Sequence, residues 1–72
     1  MNIYLLTRTD SVGYDECDGF VVRALRETAA RSIAAEECGD EGPDVWMLDA
    51  KCEKIGEGSG KPRIILRSYN AG

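Results

Sequence analysis

Residues 20–38 read FVVRALRETAARSIAAEEC and contain the two signals that decide the fold. Their first five residues are mostly β-branched or aromatic, which predicts a strand over residues 20–24. The alanines and charged side chains that follow favour a helix over residues 25–38, with Ala30, Ile33 and Ala34 on one face. No capping side chain stands at the start of this helix, and Gly39 is expected to end it.

The strand pattern recurs on both sides of this helix. Residues 3–8 alternate, with Ile3 and Leu5 on one face and Tyr4 and Leu6 on the other, so they predict a strand antiparallel to residues 20–24. The remaining segments are predicted as a loop over 9–19, a short strand or covering segment over 45–48, strands over 52–57 and 63–69 joined by a flexible hairpin loop over 58–62, and a tail over 70–72.

These elements follow one another in the order β-β-α-β-β. An antiparallel sheet of about four strands with one helix packed on one face satisfies this order, so the fold class is α+β. The chain has 72 residues, of which 43% are hydrophobic and 31% charged, which is typical of one folded domain covering residues 1–72. A chain of this length leaves little room for a deep active-site pocket.

Residue types that carry chemistry are scarce. The sequence has no histidine, the commonest general base and metal ligand, so we predict no enzymatic activity, no cofactor and no metal site. Cys17, Cys38 and Cys52 are expected to be free thiols, although one disulfide with a spare thiol remains an alternative. Neither a signal peptide nor an apolar run of about 20 residues is present, which favours the cytosol and no membrane contact.

Charge is distributed unevenly along the chain. Residues 1–44 contain ten acidic and four basic side chains, whereas residues 45–72 contain three and five, within a net charge of −4. This pattern disfavours direct nucleic-acid binding and fits either a solvated surface or a negative surface that docks on a basic partner. The candidate partner-binding residues are Asp10, Asp15, Glu16, Asp18, Glu36, Glu37, Asp40, Glu41 and Asp44. Trp46 is expected in the core, with an interface anchor as its alternative.

Three segments carry a resemblance to a known group of proteins. IYLLTRTDSVGYDE at residues 3–16, DGFVVRA at 18–24 and ILRSYNAG at 65–72 resemble a family of short phage and prophage proteins whose function is uncharacterised. The strand–strand–helix order, the size and the acidity also look like small type I anti-CRISPR proteins, by analogy and without a shared motif. Proteins of that kind bind an RNA-guided surveillance complex and block its DNA recognition or its nuclease recruitment.

Two functions follow as expectations. The first is an anti-CRISPR-like protein inhibitor from a phage or mobile element, a DNA mimic whose acidic surface occupies the basic groove of a type I CRISPR surveillance complex in the host cytosol. The second is a small phage structural or assembly accessory protein that acts through homodimerisation. The chain is therefore expected to be a monomer or a homodimer with a protein partner.

Overall fold

A computed structural model describes residues 1–70 of the chain, which form an antiparallel sheet with a helical layer on one side. The strands are β1 (Asn2–Thr7), β2 (Glu16–Ala24), β3 (Lys51–Glu57) and β4 (Arg63–Asn70). Between β2 and β3 lie the helix α1 (Glu27–Glu36) and a single π-helical turn (Val45–Asp49). The α+β class and the β-β-α-β-β order are thus confirmed. Within the predicted tail, Asn70 belongs to β4, and the last two residues lie outside the described part.

The strands stand in the order β3-β1-β2-β4, so β3 and β4 form opposite edges of the sheet. The prediction of a β3–β4 hairpin with a flexible loop over 58–62 was therefore wrong. Three strand spacings of about 4.8 Å separate the two edges, and the chain from Glu57 to Arg63 can span them at up to about 3.5 Å per residue. This connection crosses the end of the sheet, where the Gly58 amide donates a hydrogen bond of 2.8 Å to the Met1 carbonyl.

The core lies between the sheet and the helical layer. Side chains from β1 and β2 meet Ala30 and Ala34 of α1, whose small size lets the helix lie close to the sheet. Trp46 is fully buried and meets Phe20 edge to face, with ring centroids 4.8 Å apart. The core position of Trp46 is thus confirmed. Its segment is a covering π-helical turn rather than a strand.

Several predicted boundaries differ from the structure for identifiable reasons. The 9–19 loop ends early, because β2 already begins at Glu16 and buries Cys17. The helix begins only after Arg26, whose φ of −152° is extended, and no side chain caps it, as predicted. It ends at Glu36 with Glu37 as its cap residue, so Gly39 is not the C-cap.

Gly39 has a different role. A Cβ at this position would lie 2.5 Å from the backbone oxygen of Asp15, so only glycine allows the two loops to approach so closely. All three cysteines are free thiols, as predicted. No helix within residues 1–70 is long and apolar enough to cross a membrane.

Candidate functional site

Two loops that the sequence separates by about 25 residues meet at one end of the sheet. The amide of Asp40 donates a hydrogen bond of 2.8 Å to the carbonyl of Asp15, and the thiol of Cys17 lies 3.7 Å from the carbonyl of Glu37. Asp18 follows Cys17 directly in β2. Asp15, Asp18, Glu37 and Asp40, all exposed, therefore gather where β2 begins and α1 ends. We call these four residues the acidic end.

The electrostatics of the acidic end come from both side chains and backbone. The last carbonyl groups of α1 point towards this end and add the partial negative charge of a helix C-terminus. Among the nearby bases, the guanidinium of Arg67 stacks 4.8 Å above the Tyr69 ring and lies 3.3 Å from the Cys17 sulfur. Burial raises the pKa of the Cys17 thiol, which keeps it protonated and unreactive.

Asp10 and Glu16 hold the 9–15 loop in place rather than contributing free charge to a partner surface. The Arg8 side chain is only 5% exposed and contacts the carboxylates of Asp10 at 2.6 Å and Glu16 at 3.2 Å. It also donates to the Cys17 carbonyl at 2.9 Å. The hydrogen bond with Asp10 raises the pKa of the Arg8 guanidinium, and the same bond lowers the pKa of the Asp10 carboxyl.

Glu41 turns inward and connects three parts of the fold. Its carboxylate accepts hydrogen bonds from the Trp46 indole and, at 3.0 Å, from the Cys17 amide. Burial raises the pKa of the Glu41 carboxyl, but the hydrogen bonds from the Trp46 indole and from backbone amides, that of Cys17 included, together lower it more, and the resulting pKa lies below its usual value. The negative charge of Glu41 therefore stabilises hydrogen bonds inside the protein rather than contributing to an outer surface.

Two predicted residues belong to neither group. Glu36 is the last residue of α1, and Asp44 precedes the π-helical turn without capping it; both are exposed. Of the nine predicted carboxylates, Glu16 and Glu41 are half-buried and Asp10 is exposed but paired with Arg8, whereas the other six are exposed and lack such an ion pair. The sequence alone cannot distinguish these nine carboxylates, because it shows neither the Arg8 contacts nor the inward turn of Glu41.

A basic cluster at the opposite end of the sheet was not predicted. Strand register places Arg23 opposite Arg63, and the Arg23 guanidinium donates to the Lys61 carbonyl at 2.9 Å. We call these three residues the basic end. Arg23 lies 40 positions before Arg63 in the chain, and only the pairing of β2 with β4 brings Arg23 next to Lys61 and Arg63. The acidic end lies where β2 begins, and the basic end lies where β2 finishes.

The sheet face opposite the helices is apolar at its centre, and towards the basic end the connection over residues 58–61 packs against its Ile3 and Arg23 side chains. Leu5 pairs with Val21 and Val21 pairs with Leu66, which makes a continuous apolar row across three strands. Leu66 is 60% exposed. A depression of about 100 Å³ opens along this row, well below the ~300 Å³ at which small-molecule sites begin. We call this surface the open face.

Within residues 1–70, no group of three or more acidic, cysteine or histidine side chains is arranged to hold a metal ion. The surfaces that remain are therefore the acidic end, the basic end and the open face. Comparison with known proteins identifies no further feature: no family model, no curated protein and no solved structure matches this chain.

Proposed function

We propose that this chain is a non-enzymatic protein inhibitor that places its acidic end on a basic, nucleic-acid-binding surface of a host complex. The observation that carries the proposal is the convergence of Asp15, Asp18, Glu37 and Asp40 at the end of the fold where β2 begins and α1 ends. A surface of this kind competes with phosphates for the same lysine and arginine side chains. The 100 Å³ depression offers no enclosed site for a small substrate.

The proposed target is a type I CRISPR surveillance complex in the host cytosol. The support for this target is the resemblance of residues 3–16, 18–24 and 65–72 to short phage proteins, together with the analogy to small anti-CRISPR proteins. The inhibitor would block either DNA recognition or recruitment of the nuclease. Because the acidic end is compact, it would occupy a short stretch of a DNA-binding groove rather than its whole length.

The test is a charge reversal that leaves the fold intact. The variant Glu37→Lys with Asp40→Lys changes two exposed carboxylates and spares Glu41, whose hydrogen bonds hold the core. The matched control is Asp49→Lys with Glu57→Lys, which makes the same change in net charge at two exposed residues outside both the acidic end and the open face. Both variants are compared with the wild type for binding to the purified surveillance complex.

The expected loss of binding free energy in the charge-reversed variant follows from the number of charge contacts that change. Two attractions of about 0.5 kcal/mol each disappear and two repulsions of similar size appear, which gives about 2 kcal/mol, or roughly 30-fold in Kd. The Kd of the control is expected to stay within about threefold of the wild-type value. Added salt should weaken wild-type binding and reduce the difference in Kd between the wild type and the charge-reversed variant. Equal affinities for the two variants would show that net charge alone, and not the acidic end, governs binding.

A second candidate is a phage structural or assembly accessory protein that acts as a homodimer. The observation that favours it is the open face, because a monomer gains nothing from a partly exposed apolar row such as Leu5, Val21 and Leu66. Sedimentation equilibrium separates the candidates: the inhibitor needs only a monomer bound to its target, whereas the accessory protein needs self-association.

A further inference from the structure

We propose that Tyr14 is the anchor residue of the acidic end and that its ring receives an arginine side chain of the partner. This inference rests on the proposed function for the basic character of the partner, and it adds the residue and the chemical group that make the contact. Three observations carry it: the exposure of the Tyr14 ring, the fixed backbone on both sides of it, and an arginine already stacked on a tyrosine at the same end of the fold.

Tyr14 differs from the other two tyrosines of the chain in having no place in the fold. Tyr4 is buried and its hydroxyl accepts a hydrogen bond of 3.1 Å from the Asn2 side chain. The Tyr69 hydroxyl donates a hydrogen bond of 3.3 Å to the Asp15 carboxylate. The Tyr14 side chain is 74% exposed, and within residues 1–70 no hydrogen bond of this kind holds it. Its aromatic surface is therefore free for a partner.

The backbone is bonded on both sides of Tyr14. The amide of Gly13 donates to the Glu16 carboxylate at 2.9 Å, and the carbonyl of Gly13 accepts from the Asn70 side chain at 3.1 Å. The amide of Asp15 donates to the Asn70 carbonyl at 2.6 Å. The loop therefore presents an exposed ring from a fixed base, and little conformational entropy remains to be lost when a partner binds.

The conformation of Asp15 supports the same conclusion. Its φ is 58°, and within residues 1–70 it is the only residue other than glycine with a positive φ. Left-handed backbone of this kind is unfavourable for L-residues, persists only where surrounding contacts impose it, and is concentrated at binding sites. The hydrogen bond from the Asp40 amide to the Asp15 carbonyl is one such contact. These contacts hold the loop in a shape that leaves the Tyr14 ring in solvent.

The chemistry around Tyr14 favours arginine as its partner. The exposed carboxylates of Asp15 and Asp18 belong to the same end, so a cation is the group that the acidic end attracts. A guanidinium is planar, and it can therefore lie on an aromatic ring while its N–H groups bond to neighbouring carboxylates, which an ammonium group does less well. The protein already contains this pair, because the Arg67 guanidinium lies 4.8 Å above the centre of the Tyr69 ring.

Truncation of Tyr14 tests the anchor in binding to the purified surveillance complex. Tyr14→Ala is expected to raise Kd by about 30-fold, as at an interface hot spot, whereas Tyr14→Phe keeps the ring and should stay within about threefold. The matched control is Leu48→Ala, which truncates a side chain of the π-helical turn that is also 74% exposed and should leave Kd unchanged. Urea unfolding of Tyr14→Ala should match the wild type, because the ring is not part of the core.

Deca-arginine and deca-lysine peptides test the arginine contact without the surveillance complex. In isothermal titration calorimetry the wild type should bind deca-arginine at least about fivefold more tightly than deca-lysine, and Tyr14→Ala should bind the two peptides about equally. Equal affinities in the wild type, or a preference for arginine that Tyr14→Ala retains, overturn the arginine contact.

The two measurements separate this inference from the proposed function. If Tyr14→Ala leaves the Kd for the complex unchanged while Glu37→Lys with Asp40→Lys raises it, the anchor is wrong and the proposed function stands. If the wild type does not bind the complex, the proposed target is wrong, and the peptide titrations then decide the role of Tyr14 by themselves.

Discussion

Replacing Glu41 by alanine should destabilise the fold far more than replacing any of the exposed carboxylates near it. The Glu41 side chain is the acceptor for the Trp46 indole and for the Cys17 amide, and both of these residues are fully buried. Glu41→Ala removes both acceptors at once. The two donors are then left without a partner in a place that water enters poorly.

The magnitude follows from those two donors. An unsatisfied buried donor costs about 1–3 kcal/mol, so the variant should lose about 3 kcal/mol. A domain of 72 residues has roughly 4–11 kcal/mol of unfolding free energy in total. Because about 4–8 °C of Tm accompanies each kcal/mol in a domain of this size, a fall of about 15 °C is expected. Glu41→Gln retains one acceptor oxygen and should lose about half as much.

Urea unfolding followed by fluorescence provides the assay, because Trp46 is the single tryptophan of the chain and is buried only in the folded state. Far-ultraviolet circular dichroism gives a second probe that does not depend on the indole environment. The matched control is Asp44→Ala, which removes an exposed carboxylate that caps nothing and should change stability by less than about 0.5 kcal/mol. If Glu41→Ala and the control agree within that margin, the buried hydrogen bonds do not stabilise the fold as argued.

The same residue predicts a pH dependence with a definite sign. The pKa of Glu41 is lower in the folded chain than in the unfolded one, so its carboxylate contributes stability that is complete above the ordinary glutamate pKa of about 4.3. That contribution disappears as the pH falls through the lowered pKa of the folded state. The difference in unfolding free energy between the wild type and Glu41→Gln should therefore narrow below about pH 4, and a difference that widens there would contradict the assignment.

The remaining predictions concern backbone approach, thiol protection and the π-helical turn. Gly39→Ala should destabilise by about 2 kcal/mol in urea unfolding, because its Cβ meets a backbone oxygen at 2.5 Å, whereas Gly56→Ala meets nothing within 4 Å and should be nearly neutral. In iodoacetamide labelling read by mass spectrometry, Cys17 should react only in denaturant, and labelling in the native state would contradict its burial. Arg31→Gln should cost about 1–2 kcal/mol, because the Arg31 guanidinium donates to the Trp46 and Ala50 carbonyls at 3.0 and 2.8 Å; a loss below about 0.3 kcal/mol would contradict this role.

Local sequence pattern was sufficient to predict the strands and the helix of this fold but insufficient for the connection between β3 and β4. The alternation in residues 3–8 and the alanine-rich helix gave the correct element types, because period and propensity are properties of short segments. The 58–62 segment looked like a hairpin loop, since glycine-rich linkers between strands usually are. Instead, β1 and β2 occupy the centre of the sheet because their apolar side chains fill the core. The charged strands β3 and β4 form the two edges.

The candidate surfaces, like the fold, could be predicted from the sequence only in part. Composition alone shows that acidic residues concentrate in the first 44 positions, and the alternation of β1 already assigns Leu5 to the face opposite Leu6. Which carboxylates are free was decided by Arg8 and by the inward turn of Glu41, contacts that depend on loops meeting in space. The basic end had no local signal, because Arg23 and Arg63 become neighbours only through strand register.

The sequence by itself determined the α+β class, the order of the elements and the acidic character, because each depends on residue types and on spacings of a few positions. The tertiary structure decided the strand order, the gathering of acidic and basic side chains at opposite ends, and the exposure of one apolar sheet face. These features depend on which distant segments pair, and that choice is made by the burial of the whole core rather than by any one segment.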